Sequence, residues 1–255
     1  MKGARLIFVM LLLCCALAAQ GASAHTVLFD NGHGERFLIG ETGPLHLSGL
    51  VEILRAAGAE VATLDQPISD ASLAGADALV ISGAFAPLHP NEIEAVVRFM
   101  QRGGKLAVML HVAPPLAGLL DRLQVGYTNG VIRETENVIE NDPQKFRVKR
   151  LGSHDVTQGV QEFSLYGAWG LVNRDESTRI ISATSPNAWI DLRGDKVQRK
   201  EATLSFGVAV AGETGKGGFV VFGDDAIFQN TFLDRNNKAL AANLAAWLKA
   251  GHYRP

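Results

Sequence analysis

Asp30, His33 and Glu35 follow one another in the stretch VLFDNGHGE, just past a short apolar run. His89 comes after a third apolar run, His111 ends a fourth, and Asp224 with Asp225 ends the last. Imidazoles and carboxylates in such number can move protons, ligate a divalent cation or hydrogen-bond hydroxyl groups. Some have a plainer use. Asp30 and Asp224 suit turns as backbone acceptors, Asn31-Gly32 is itself a turn signal, and His89 stands directly before a proline that opens a helix. A nucleophile is missing. The only cysteines, Cys14 and Cys15, lie near the start, and no Gly-x-Ser-x-Gly elbow occurs. The fourth run reads LAVMLHVAPP, with Met109 and His111 where a thiol or hydroxyl would stand. Asp-x-x-His-x-Glu is not an established metal spacing, and no histidine pair sits at ligand spacing, so no metal is expected. Gly32-His33-Gly34 lacks the third glycine of a dinucleotide loop, and no Gly-Lys-Ser/Thr element exists, so no cofactor is expected either.

The elements that must position these groups alternate through the first half. Thr26 to Asp30, Glu60 to Leu64, Ala78 to Ser82 and Lys105 to His111 read as buried strands. Leu45 to Ala57 and Pro90 to Arg102 carry apolar residues at helical spacing, and glycines end both. From residue 125 to about 192 the chain is rich in β-branched and aromatic residues without a helical period. Short strands are expected there at Phe146 to Val148, Phe163 to Tyr166, Trp169 to Val172, Arg179 to Ala183 and Ala188 to Leu192. A hairpin around Glu213-Thr214-Gly215-Lys216 and a helix from Asn237 to Ala250 close the chain. This order predicts an α/β fold, Rossmann-like or flavodoxin-like. It would have a mostly parallel sheet, helices on both faces and a β-rich elaboration in the second half. Parallel strands place their carboxyl ends on one edge, so Asp30, His33, Glu35, His111 and Asp224 are the expected ligand-binding residues of a single crevice. Lying in turns, Asp30 and His33 are expected to bury little, so replacing both with alanine should cost about 1 kcal/mol or less.

The chain has 255 residues, with 24 basic and 26 acidic side chains. Residues 1–24 read as a Sec-type signal peptide. Lys2 and Arg5 precede the apolar run Leu6 to Ala19, and Ala22-Ser23-Ala24 offers a cleavage site before His25. Periplasmic or secreted localisation follows from that. Leu11, Leu12 and Leu13 ahead of Cys14 do not fit a lipid-attachment site. Without the leader no cysteine remains for a disulfide, and residues 25–255 are long enough to form one domain around its own core. Removing Lys2 and Arg5 moves the formal charge from −2 to −4. No basic run interleaved with aromatics argues for nucleic acid, and no later stretch is apolar enough to span a membrane.

Three stretches resemble the class I glutamine-amidotransferase-like superfamily. VLFDNGHGE looks like its first strand and turn. HDVTQGV at His154 to Val160 is similar to a His-Pro-x-Thr-x-Gly-Val element, with Asp155 in place of proline. GGFVVFGDDAIFQN from Gly217 to Asn230, followed by NKALAANLAAWL, looks like its closing strand, Gly-Asp turn and terminal helix. Active members use a cysteine, a histidine and a glutamate, and the cysteine has no counterpart here. The resemblance therefore points to the non-catalytic branch, which includes GIFT domains and GldG-type ABC-transporter-associated domains. It implies a Rossmann-like sandwich that binds a ligand or serves assembly. The leading expectation is an exported, non-catalytic module for a small polar ligand, possibly carbohydrate, with Phe85 or Trp169 available to stack on a sugar face. Two alternatives stand beside it. One is an envelope assembly protein acting through protein contacts, and the other is a metal-dependent hydrolase, for which trehalose-utilisation-like relatives offer the enzyme precedent.

Overall fold

The computed structural model describes residues 25–250. The leader expected over residues 1–24 lies outside them. Fourteen strands run in chain order through the described residues. They are β1 (His25–Asp30), β2 (Ala59–Leu64), β3 (Ala78–Ser82), β4 (Lys105–Met109), β5 (Val125–Arg133), β6 (Val138–Ile139) and β7 (Asp142–Val148). After these come β8 (Arg150–Leu151), β9 (Phe163–Tyr166), β10 (Trp169–Asn173), β11 (Thr178–Ala183), β12 (Trp189–Ile190), β13 (Gly207–Thr214) and β14 (Gly217–Phe222). Four α-helices accompany them: α1 (Ser48–Ala56), α2 (Pro90–Gln101), α3 (Ala117–Arg122) and α4 (Arg235–Lys249).

Eleven strands form one mixed sheet, whose main path is β12-β5-β10-β13-β14-β4-β3-β1-β2, with β11 and β8 joined beside β13. The five strands β2, β1, β3, β4 and β14 are parallel. Their order is that of flavodoxin-like sheets, in which the chain changes direction of travel between β1 and β3. All pairings beyond β14 are antiparallel. The expectation of a mostly parallel, helix-flanked sheet is therefore corrected to a mixed, β-rich one. The cause is the β13–β14 hairpin. Thr214 pairs with Gly217 across a two-residue connection, where Gly215 takes φ +62°. Such a tight turn needs the left-handed conformation, and it reverses every strand hydrogen-bonded outward from β13.

Alternation along the parallel strands divides the core in two. Val27, Phe29, Val80, Met109 and Phe222 pack with Leu50 and Leu54 of α1 and with Leu240, Leu244 and Leu248 of α4. Leu79, Ile81, Leu106, Val108 and Val221 pack with Val96 and Met100 of α2 and with Leu119 and Leu120 of α3. The residues from 125 to 192 extend the main sheet through β5, β10, β11 and β12, and they form a second sheet, β6-β7-β9. Phe146 and Val148 of β7 and Phe163 and Leu165 of β9 belong to the same core as α1 and α4. No helix of the described residues is long and apolar enough to cross a membrane.

Candidate functional site

The first polar turn is packed inward. Asp30 ends β1 with a fully buried side chain, and the His33 side chain keeps only 7% exposure. The His33 carbonyl accepts hydrogen bonds from the N–H groups of Phe85 and Ala86, which fixes the turn against the loop after β3. The imidazole lies between two carboxylates. Nδ1 donates to Asp30 Oδ2 at 2.7 Å, and Nε2 donates to Glu92 Oε2 at 3.2 Å. The hydrogen bond from Asp30 outweighs burial and, with help from Glu92, raises the His33 pKa to about 9. His33 is thus an imidazolium at neutral pH, and both of its nitrogens are engaged.

Glu92 is held as firmly. It is the third residue of α2, and its Oε2 accepts the N–H of His89 at 2.7 Å while Oε1 accepts the N–H of Ile68 at 2.9 Å. Burial works against its charge, but these amides and His33 keep its pKa below the usual carboxylate value. His89 is the helix cap: its Nδ1 accepts from Asn91 N, completing a capping box with Glu92. It serves α2 and does not point to catalysis.

Glu35 differs from both. One oxygen, Oε2, accepts the N–H of His33 at 2.8 Å. The other, Oε1, is buried with no hydrogen-bond partner among the described residues. Burial first, and then the neighbouring Asp30 carboxylate, push its pKa up to about 7. Ser82, the last residue of β3, is 4% exposed, and its Oγ also has no partner among the described residues. Asp30, Glu35 and Ser82 line one cavity of about 180 Å³ together with Phe29, Phe37 and Leu47. That cavity opens at the carboxyl ends of β1 and β3, where the direction of the sheet's connections changes. Open α/β sheets bind ligands at this position.

His111 forms a second group. Its Nδ1 donates to Asp225 Oδ1 at 3.1 Å, and its side chain is 39% exposed against 3% for Asp225. The hydrogen bond from Asp225 raises the His111 pKa over the opposing effect of burial. Its ring lies 5.2 Å from that of Phe37 and 5.0 Å from that of Phe85, and its carbonyl accepts from Trp169 Nε1. Phe37 therefore borders both groups. Gly83 keeps Asp225 in place by having no side chain: a Cβ there would stand 2.6 Å from Asp225 Oδ2, and its φ is +68°. Asp224 faces elsewhere. Its two oxygens accept the N–H groups of Tyr166 at 2.5 Å and Ala226 at 2.9 Å. Burial, followed by the charge of Asp225, pushes its pKa up to about 7.

The structure thus brings Asp30, His33 and Glu35 together, with one ligand atom from each within 4.8 Å of the others. It sets His111 beyond Phe37 and uses Asp224 to tie β9 to the turn after β14. The expected low burial of Asp30 and His33 is corrected, because a salt-bridged imidazolium sits between them and α2. Glu92, Ser82, Phe37 and Asp225 complete the site and were not among the expected binding residues. Glu92 had a signal, since a glutamate three residues after a capping position reaches back to the start of its helix.

Residues 40–245 match a family model described as Domain of unknown function (DUF4350). The match begins after Glu35, so the first polar turn precedes it. No curated protein matches the chain. Solved structures do. The mmIFT52 N-terminal domain is similar at 17% identity with a TM-score of 0.71, covering 90% of this chain and 100% of that one. A cytoplasmic protein from Salmonella typhimurium LT2 is 16% identical with a TM-score of 0.57, over 88% and 99% of the two chains. A ThuA-like protein from Bacteroides uniformis is 12% identical with a TM-score of 0.53, over 90% and 93%. At these identities the likeness shows the fold alone, which is the ThuA-like, class I glutamine-amidotransferase-like fold. With the family model matching most of its length, the chain belongs to the DUF4350 family.

Proposed function

We propose that this protein is an exported, non-catalytic module that binds a small polar ligand at the carboxyl ends of β1 and β3. We assign it to the branch of the superfamily that includes GIFT and GldG-type domains. The observation that carries the reading is the pair of unpartnered buried oxygens, Glu35 Oε1 and Ser82 Oγ, on residues lining one cavity. Buried polar atoms are nearly always hydrogen-bonded, so two such atoms at one cavity call for a ligand or ordered water. The non-catalytic part rests on the end of β4, where Leu110 and His111 follow the strand and no thiol or hydroxyl is available. A metal-dependent hydrolase is less well supported, because carboxylates occupy both nitrogens of His33.

A thermal-shift screen of the purified protein against sugars, polyols, amines and small carboxylates tests this. A true ligand stabilises the native state by mass action, by about 2.7 kcal/mol at a hundredfold excess over Kd. At least one compound class should raise Tm in the native protein and fail to do so in Glu35→Gln. A library that shifts neither protein, or both equally, would overturn the proposal.

A further inference from the structure

We infer that the ligand of the Glu35–Ser82 cavity is a small organic cation, a primary or secondary ammonium on a short hydrocarbon body. This inference rests on the binding-module reading above and narrows its ligand class. Three features of the lining point the same way. First, the charged residues that line it are Asp30, Glu35 and Glu41, with no lysine, arginine or histidine among them. Asp30 is already balanced by His33, whereas Glu35 has no cationic partner among the described residues. Second, the two unpartnered oxygens are both able to accept, and an ammonium is a donor of up to three hydrogen bonds that accepts none. Third, Phe29, Phe37, Leu38, Ile39 and Leu47 supply an apolar wall for the body of the ligand. A volume of about 180 Å³ holds about six water-sized groups at roughly 30 Å³ each, which bounds the ligand's size.

An anion would meet an uncompensated carboxylate here, and a neutral polyol would leave the Glu35 charge buried without a counter-charge. The charged groups facing Glu35 come from several elements. Asp30 and His33 belong to the turn after β1, Glu92 of α2 acts through His33, and Glu41 lies on the loop that carries Phe37. From β2 and β3 come only the neutral Thr63 and Ser82. An ammonium therefore binds the ionised form of Glu35, and its arrival drives a proton off that carboxyl.

Isothermal titration calorimetry of the purified protein with butylammonium, 1-butanol and butyrate, at about pH 6 and about pH 8, tests the inference. Butylammonium stays charged at both values. With Glu35 titrating at about 7, its affinity should rise about tenfold between them, with a binding heat that depends on the buffer's own protonation enthalpy. Glu35→Gln should weaken butylammonium at least about tenfold and abolish the pH dependence. Ser82→Ala should weaken it with an unchanged circular dichroism spectrum. The inference is overturned if butanol or butyrate binds as well as butylammonium, if Glu35→Gln binds it like the native protein, or if no heat is seen. The two levels separate cleanly. A neutral compound from the thermal-shift library that depends on Glu35 keeps the binding module and overturns the cation, whereas silence in both assays overturns both.

Discussion

Asn237→Leu should destabilise the protein by about 4–6 kcal/mol, enough to unfold many domains of ordinary stability. Asn237 lies in the first turn of α4, and its side chain is completely buried. Its Oδ1 accepts the N–H of Ser164 at 2.8 Å. Its Nδ2 faces the carbonyls of Ser164 at 3.1 Å, Ile227 at 3.0 Å and Phe232 at 3.1 Å. One amide thus joins α4 to β9 and to the segment that follows β14. Leucine has nearly the same volume and satisfies none of these groups. Each buried backbone group left without a partner costs roughly 1–3 kcal/mol, though such costs do not simply add. The consequence reaches the site, because Asp225 belongs to the segment that Asn237 anchors. Urea unfolding followed by circular dichroism measures the change. A loss below about 1 kcal/mol would show that water replaces the amide and that the anchor is not needed.

The second large effect depends on pH. His33 is raised from 6.5 to about 9 in the folded protein, chiefly by its hydrogen bond to Asp30. A raised histidine pKa means that the folded state holds the proton more tightly. Its contribution is fully present below the unfolded value and disappears as pH climbs through about 9. The shift corresponds to about 3 kcal/mol, and little solvent screens a side chain that is only 7% exposed. His33→Gln should therefore be much less stable than the native protein at about pH 6.5. Between there and about pH 9.5 the difference should shrink by about 3 kcal/mol. Denaturant melts at closely spaced pH values give the comparison. A difference that stays constant over that interval would mean that His33 is not an ion-paired imidazolium.

Local pattern carried much of the parallel half. ALVIS at Ala78 to Ser82 is a strand with the bounds its apolar run predicts, and α2 ends at Gln101, one residue short of the sequence expectation. The hairpin at Gly215 was equally legible. What it does to the sheet was not, since the pairings of β10 with β5 and of β11 with β13 join segments about 30 to 45 residues apart. The site divides along the same line. Asp30, His33 and Glu35 could be read together because one turn holds all three. The burial of His33 depends on Glu92, 59 positions away, and the cavity depends on Ser82, a residue that reads only as the end of a strand. Asp224 and Asp225 show how fine the limit is. Adjacent in sequence, they split into a buried backbone acceptor and the partner of His111, and only the path of the turn decides which is which.

The most direct measurement is a high-resolution crystal structure of the protein purified without small-molecule additives and then soaked in butylammonium, compared with an unsoaked crystal. The binding-site reading predicts density for an ordered group at the cavity between β1 and β3, within about 3 Å of both Glu35 Oε1 and Ser82 Oγ, that changes from water to amine on soaking. Water in the same positions in both crystals, or a cavity filled by Phe37 in both, would contradict it.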